Sequence, residues 1–279
     1  MSNPSDDRQR ILQDFRAWIG QNESMGQDWF LLEDGPAPDA PAPEVAAASE
    51  TGDAAASDPF QQACDAFVVR TLALIDQQPR SGPGADAVHD KAAALAALKA
   101  EVLPCTSCAL HESRNNTVFG AGDPDADVVF IGEAPGRDED LQGEPFVGKS
   151  GQLLTKIMGA IGYGRENVFI CNILKCRPPN NRDPLPVEVK ACEPHLKRQL
   201  AILDPKVICC LGRVAAQTLL GTDASLGRLR ETVHFYEGIP VMATFHPAAL
   251  LRNPGWKRDT WNDVRRLRAL VDALRARES

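Results

Sequence analysis

The chain of 279 residues has no run of eighteen apolar residues, so no stretch of it reads as a membrane-spanning helix. Its first ten residues, MSNPSDDRQR, lack the basic-then-apolar order of a secretion signal. The expectation is a cytoplasmic protein with no membrane partner. In that compartment eight cysteines point to metal or catalysis and away from disulfides. No flavin or nicotinamide fingerprint occurs. Net positive charge is also lacking, since the formal total is −8. That total hides an asymmetry. Residues 1–100 hold 7 Lys/Arg against 16 Asp/Glu, whereas residues 101–279 hold 23 against 22. The acidity belongs to the first hundred residues, and the balanced remainder leaves a basic face, and with it nucleic acid, open.

What is present falls into two regimes. Residues 6–19 place Ile11, Leu12, Phe15, Trp18 and Ile19 on one helical stripe. Residues 34–58 are rich in Pro, Ala and acids, which predicts an extended tether too poor in apolar surface to fold. Between them, QDWFLLE at 27–33 reads as a docking peptide for a replication or repair partner or, equally, as part of the N-terminal helical packing. Helices are expected over 59–78 and 85–102. Beyond residue 100, apolar strands are expected at 127–131, 167–172, 207–211 and 241–245, with helices at 150–160, 186–203, 213–220 and 257–276. Such continuous apolar strands alternating with helices predict an α/β fold of three layers, its parallel sheet covered on both faces. Ligands in such folds bind beyond the carboxyl ends of the strands. Those ends carry GEAPG after the first strand, Asn172 and residues 175–183 after the second, and HPAALLRNP after the fourth.

The chemistry-bearing residues gather there. Residues 132–151, GEAPGRDEDLQGEPFVGKSG, have the glycines of a phosphate-cradling loop but four carboxylates in the first ten positions, and carboxylates repel phosphate. Phe146 within this loop suits stacking on a flat ring or anchoring the loop in the core. Asn172 offers one acceptor and two donors, enough to read a base edge. His246 follows a strand directly, and Pro247 fixes the chain after it. Leu250, Leu251 and Arg252 suit a wedge into a base stack with the arginine on phosphate, or an ordinary contact beneath a loop. Cys105 and Cys108 form CxxC with no preceding strand of the kind a thioredoxin-like motif requires. Together with Cys176 and Cys192 they suit a tetrahedral zinc or an iron–sulfur cluster, and spacing alone does not choose. Cys171, Cys209 and Cys210 lie inside strands and read as core residues, and nothing distinguishes Cys64.

Three motifs in order, GEAPGRDEDLQGEPFVGKSGQLL, NILKCRPPNNRDP and HPAALLRNPGWK, resemble the family-4 uracil-DNA glycosylases, the iron–sulfur class, over about residues 100–273. The resemblance implies a four-stranded parallel sheet and a [4Fe–4S] cluster on Cys105, Cys108, Cys176 and Cys192. It implies action on uracil-containing DNA, single- or double-stranded, and the chain is expected to be a monomer. Carried over by position, Glu133 is the acidic catalytic residue, His246 the catalytic histidine and Phe146 the ring that stacks on uracil. Asn172 reads the base edge, backbone at Gly132, Ala134 and Gly136 lines the base, and Leu250, Leu251 and Arg252 enter the minor groove. A related subclass becomes covalently linked to uracil-DNA. It has a glutamine where this chain has Ala134, and a histidine in the basic loop that here reads RPPNNRDP. These differences favour turnover over self-trapping.

Overall fold

A computed structural model of the chain describes residues 59–78, 88 and 90–278. The expected helix at 6–19, the cluster at 27–33, the tether at 34–58 and the first residues of the helix expected from 85 lie outside the described residues. Residues Gln62–Ser279 form one compact unit. In chain order the helices are α1 (Pro59–Ile75), α2 (Lys91–Val102), α3 (Arg137–Gln142), α4 (Lys149–Ala160), α5 (Pro186–Leu203), α6 (Arg213–Leu220), α7 (Leu226–Arg230), α8 (Pro247–Arg252) and α9 (Lys257–Glu278). The strands are β1 (Ala121–Gly122), β2 (Val128–Gly132), β3 (Phe169–Asn172), β4 (Val207–Leu211), β5 (His234–Tyr236) and β6 (Ile239–Thr244).

The sheet order is β1-β3-β2-β4-β6-β5, so the sheet has six strands where the sequence predicted four. The four expected strands form its parallel centre. The two additional strands pair antiparallel at the edges. They span two and three residues, too short for an alternation or an apolar run to register. The central strands are buried on both faces, as continuous apolar sequence requires. In β4 the pleat sends Val207, Cys209 and Leu211 into one cluster with Val264, Leu267 and Leu270 of α9. It sends Ile208 and Cys210 into the other, with Leu95 and Leu98 of α2 and Leu196 and Leu200 of α5. Cys171, Cys209 and Cys210 are core residues, each at most 2% exposed.

Register fixes the site. Gly132 pairs with Asn172 and Leu211 with Thr244. The carboxyl ends of β2, β3, β4 and β6 therefore lie side by side, and the segments after them converge.

Candidate active site

A cavity of about 390 Å³ opens at this rim. Its lining includes Glu133, Ala134, Gly136, Phe146, Asn172 and His246, together with Asp183 and Arg252. Gly132 sits behind them. A Cβ there would lie 2.3 Å from Asn172 Oδ1 and 2.6 Å from Phe146 Cζ, so only glycine lets the amide and the ring stand this close. Asn172 is 2% exposed, and its Oδ1 is buried with no hydrogen-bond partner among the described residues. A buried acceptor left unsatisfied is costly, and this one lines the cavity, where a bound group can supply the donor.

Phe146 takes a left-handed backbone conformation, φ 54°, uncommon and strained for a bulky residue. The neighbours that enforce it are identifiable. Arg165 donates to the carbonyls of Phe146 and Pro145 at 3.0 and 2.7 Å. Gly151 in the first turn of α4 lies so close that a Cβ would come within 1.9 Å of the Phe146 carbonyl oxygen. The ring is held 5.5 Å from the His246 ring, centroid to centroid, and tilted 33°.

The acids of the loop separate by role. Glu139 is buried and accepts from the backbone N–H groups of Val147 and Gly148, both at 3.1 Å. Asp140 is buried and accepts from Asn115 N at 2.9 Å and Asn115 Nδ2 at 2.5 Å. Both hold loops in shape, and Asp138 is exposed. Glu133 also lines the cavity, and among the described residues its carboxylate finds no hydrogen-bond partner. Burial pushes its pKa up to about 6, Asp183 adds to the rise and Arg213 opposes it. Arg213 also bonds Asp183 at 3.2 Å. Sequence reading missed Arg213, although it follows β4 by two residues and the same rim argument applied to that strand would have found it.

His246 caps α8. Its Nδ1 accepts from Ala248 N at 3.1 Å, so in the neutral ring the proton is on Nε2. Burial, with Arg252 contributing, lowers its pKa to about 4. The ring is therefore neutral at pH 7, with a fixed N–H donor. The segment expected to enter DNA carries its three residues at different depths. It is the short helix α8, and Leu250 is 1% exposed, packed inward by the helical turn. Leu251 is half-buried and Arg252 exposed, so these two are the ones offered to solvent.

Cys105, Cys108, Cys176 and Cys192 line one small cavity together. All are free thiols, and no three described His, Cys, Asp or Glu side chains meet at the spacing of a single metal ion. The surrounding donors suit thiolates. Arg114 Nη1 donates to Cys176 Sγ at 3.2 Å, and Lys175 N to Cys192 Sγ at 3.3 Å. His195 Nε2 lies 3.3 Å from Cys105 Sγ. N–H groups aimed at sulfur are the usual outer support of a metal–thiolate centre. Burial pushes the Cys192 thiol up to about 11, so a bound cation would have to draw the proton off.

Residues 119–265 match the family described as the uracil DNA glycosylase superfamily. A type-4 uracil-DNA glycosylase of Archaeoglobus fulgidus is 46% identical over 175 residues, 60% of this chain and 88% of that protein. One from Thermotoga maritima is 44% identical over 168 residues, 60% of this chain and 84% of that protein. A type-5 uracil-DNA glycosylase of Thermus thermophilus is 30% identical over 149 residues, 46% of this chain and 68% of that protein. No helix among the described residues is long and apolar enough to cross a membrane. With Glu133, Asn172 and His246 on one rim and these matches spanning them, the chain belongs to the uracil DNA glycosylase superfamily and, within it, to the type-4 uracil-DNA glycosylases.

Proposed function

We propose that the chain hydrolyses the bond between uracil and deoxyribose in DNA, releasing free uracil and leaving an abasic site. The observation that carries this reading is the pairing of a carboxylate with a neutral imidazole donor on one cavity that also holds a ring and an unsatisfied amide oxygen. Uracil has to leave the base stack before its glycosidic bond is accessible. In the cavity, Phe146 stacks on its face. Asn172 Oδ1 accepts from the N3–H of uracil, which supplies its missing partner, and Nδ2 donates to O4. Backbone at Gly132, Ala134 and Gly136 closes around the base, while Leu251 and Arg252 engage the strand it left.

As the bond breaks, positive charge develops on the sugar and negative charge on uracil O2. Nε2–H of His246 donates to that oxygen, and because the ring is neutral it stabilises the anion without surrendering a proton. The Glu133 carboxylate stabilises the sugar and positions or deprotonates the attacking water. The loop looked unfit for phosphate because of its acids. One of them faces the place where the reaction generates positive charge, and two others hold loops.

We further propose that Cys105, Cys108, Cys176 and Cys192 hold a [4Fe–4S] cluster. Glycosidic hydrolysis transfers no net electrons, so the bound cluster serves as a cross-link. It ties the segment after α2, the exit of β3 and helix α5 together behind Asn172. His246 is the only histidine among the described lining residues, which supports turnover over covalent trapping of DNA. The test is a uracil-release assay on the full chain, with iron and zinc measured in the same sample. Alkali-labile sites should appear at uracil positions over multiple turnovers. No cleavage, or a denaturant-resistant protein–DNA adduct with a single turnover, overturns the reading.

A further inference from the structure

Lys175 is the buried cation that the reaction as described leaves unused. Its side chain is 1% exposed, although lysine is almost never fully buried unless paired. Its Nζ donates to the Asn172 carbonyl at 2.8 Å. Among the described residues it forms no ion pair with a carboxylate. A carbonyl dipole alone is poor compensation for a buried ammonium. Lys175 is among the residues that line the cavity with Cys105, Cys108, Cys176 and Cys192, and its own backbone N–H points at Cys192 Sγ. A cluster ligated by four thiolates is a net anion, and it would supply the counter-charge that the other described residues do not.

The other end of the contact explains what that charge is for. Asn172 Oδ1 has no partner among the described residues, so side-chain bonds between them do not fix the direction of its amide. Its backbone has to do so. The ladder to β2 holds one side of it, and Lys175 Nζ holds its carbonyl. We propose that Lys175 is a positioning residue, held by the charge of the cysteine-ligated cluster and in turn fixing the peptide of Asn172 from which uracil is read. This rests on the reading of the four cysteines as cluster ligands and of Asn172 as the base reader.

The test compares the full chain with its Lys175→Met and Lys175→Arg variants. Three quantities are read: the reduction potential of the cluster, kcat/KM on uracil-containing DNA, and affinity for the same DNA without uracil. Lys175→Met is expected to move the potential to a more negative value, because a buried positive charge no longer favours the added electron. It is expected to lower kcat/KM by about ten- to a hundredfold, as loss of outer support at such centres does. Affinity for uracil-free DNA, which does not involve Asn172, should not change. Lys175→Arg keeps the charge but not the geometry, so it should keep the potential and lose kcat/KM. A Met variant with wild-type potential or wild-type kcat/KM overturns the proposal. If that variant does not fold, an Arg variant with unchanged kcat/KM overturns it. Uracil release by wild-type protein carrying no iron also overturns it while leaving the glycosylase reading intact. A wild type that releases no uracil refutes that reading itself.

Discussion

Glu133 and His246 are displaced from their ordinary pKa values in opposite directions by the same cause. Burial disfavours charge, so it raises the acid to about 6 and lowers the imidazole to about 4. Both end in the form the proposed mechanism uses at pH 7, and two measurements follow. The kcat/KM profile should fall on the acid side with a limb near pH 6, as protonation removes the Glu133 carboxylate. No limb from His246 should appear above pH 5. In Glu133→Gln the limb should vanish and the rate fall by about 10²–10⁴, whereas His246→Ala should cost about 10²–10³. Stability should move the other way. A carboxyl whose folded pKa lies above its unfolded value contributes stability at low pH and loses it as pH rises through about 6. Ionised Glu133 is then a liability at pH 7.5, and because solvent screens this half-buried group, Glu133→Gln should raise stability there by no more than about 1 kcal/mol, read by chemical denaturation. Equal or lower stability in that variant would contradict the burial argument. Gly132→Ala tests the packing of the same site. Its Cβ would collide with Asn172 and Phe146, so uracil release should be lost while a folded protein persists.

At the scale of elements, helix α8 presents two adjacent leucines in different environments. The helical turn buries Leu250 and leaves Leu251 half-exposed. Leu250→Ala should therefore destabilise the fold by about 2–5 kcal/mol. Leu251→Ala should leave the melting temperature near wild type and weaken binding to DNA containing a flipped base. The reverse assignment of these effects would show that α8 turns over on DNA. The loop from Gly132 to Gly151 is a second such element. Glu139 ties Val147 and Gly148, Arg165 ties Pro145 and Phe146, and Gly151 admits the Phe146 carbonyl. These bonds hold a strained phenylalanine in place, so Arg165→Ala should raise KM for uracil-DNA more than it changes the affinity for undamaged DNA.

At the scale of the whole molecule, every residue placed in the site lies within the unit Gln62–Ser279. Deleting residues 1–58 is accordingly expected to leave uracil release on short DNA unchanged. Loss of pull-down with a replication or repair protein in the same truncation would assign the 27–33 cluster its docking role. Unchanged pull-down would remove that role.

Much of this was legible in order along the chain. Continuous apolar runs specify strands buried on both faces, and the helical rhythms at 186–203 and 213–220 coincide with α5 and α6. The rim rule then places Glu133, Asn172 and His246 near one another, because the sheet is parallel and the chain leaves each strand at the same end. The four cysteines stood out by their polar surroundings. What the sequence by itself determined is therefore periodic or local: the parallel centre of the sheet, the segments at its rim and the donor chemistry of the site. Tertiary structure alone decided the rest. Whether Leu250 or Leu251 faces outward depends on which side of α8 meets α4. Which acids of 133–140 tie loops depends on backbone amides up to twenty-five residues away in sequence. The pKa shifts of Glu133 and His246 come from desolvation on burial, and the burial of Lys175 from packing by segments remote in the chain. Periodicity reports which face of an element is apolar, but the charge a group can carry depends on everything packed around it.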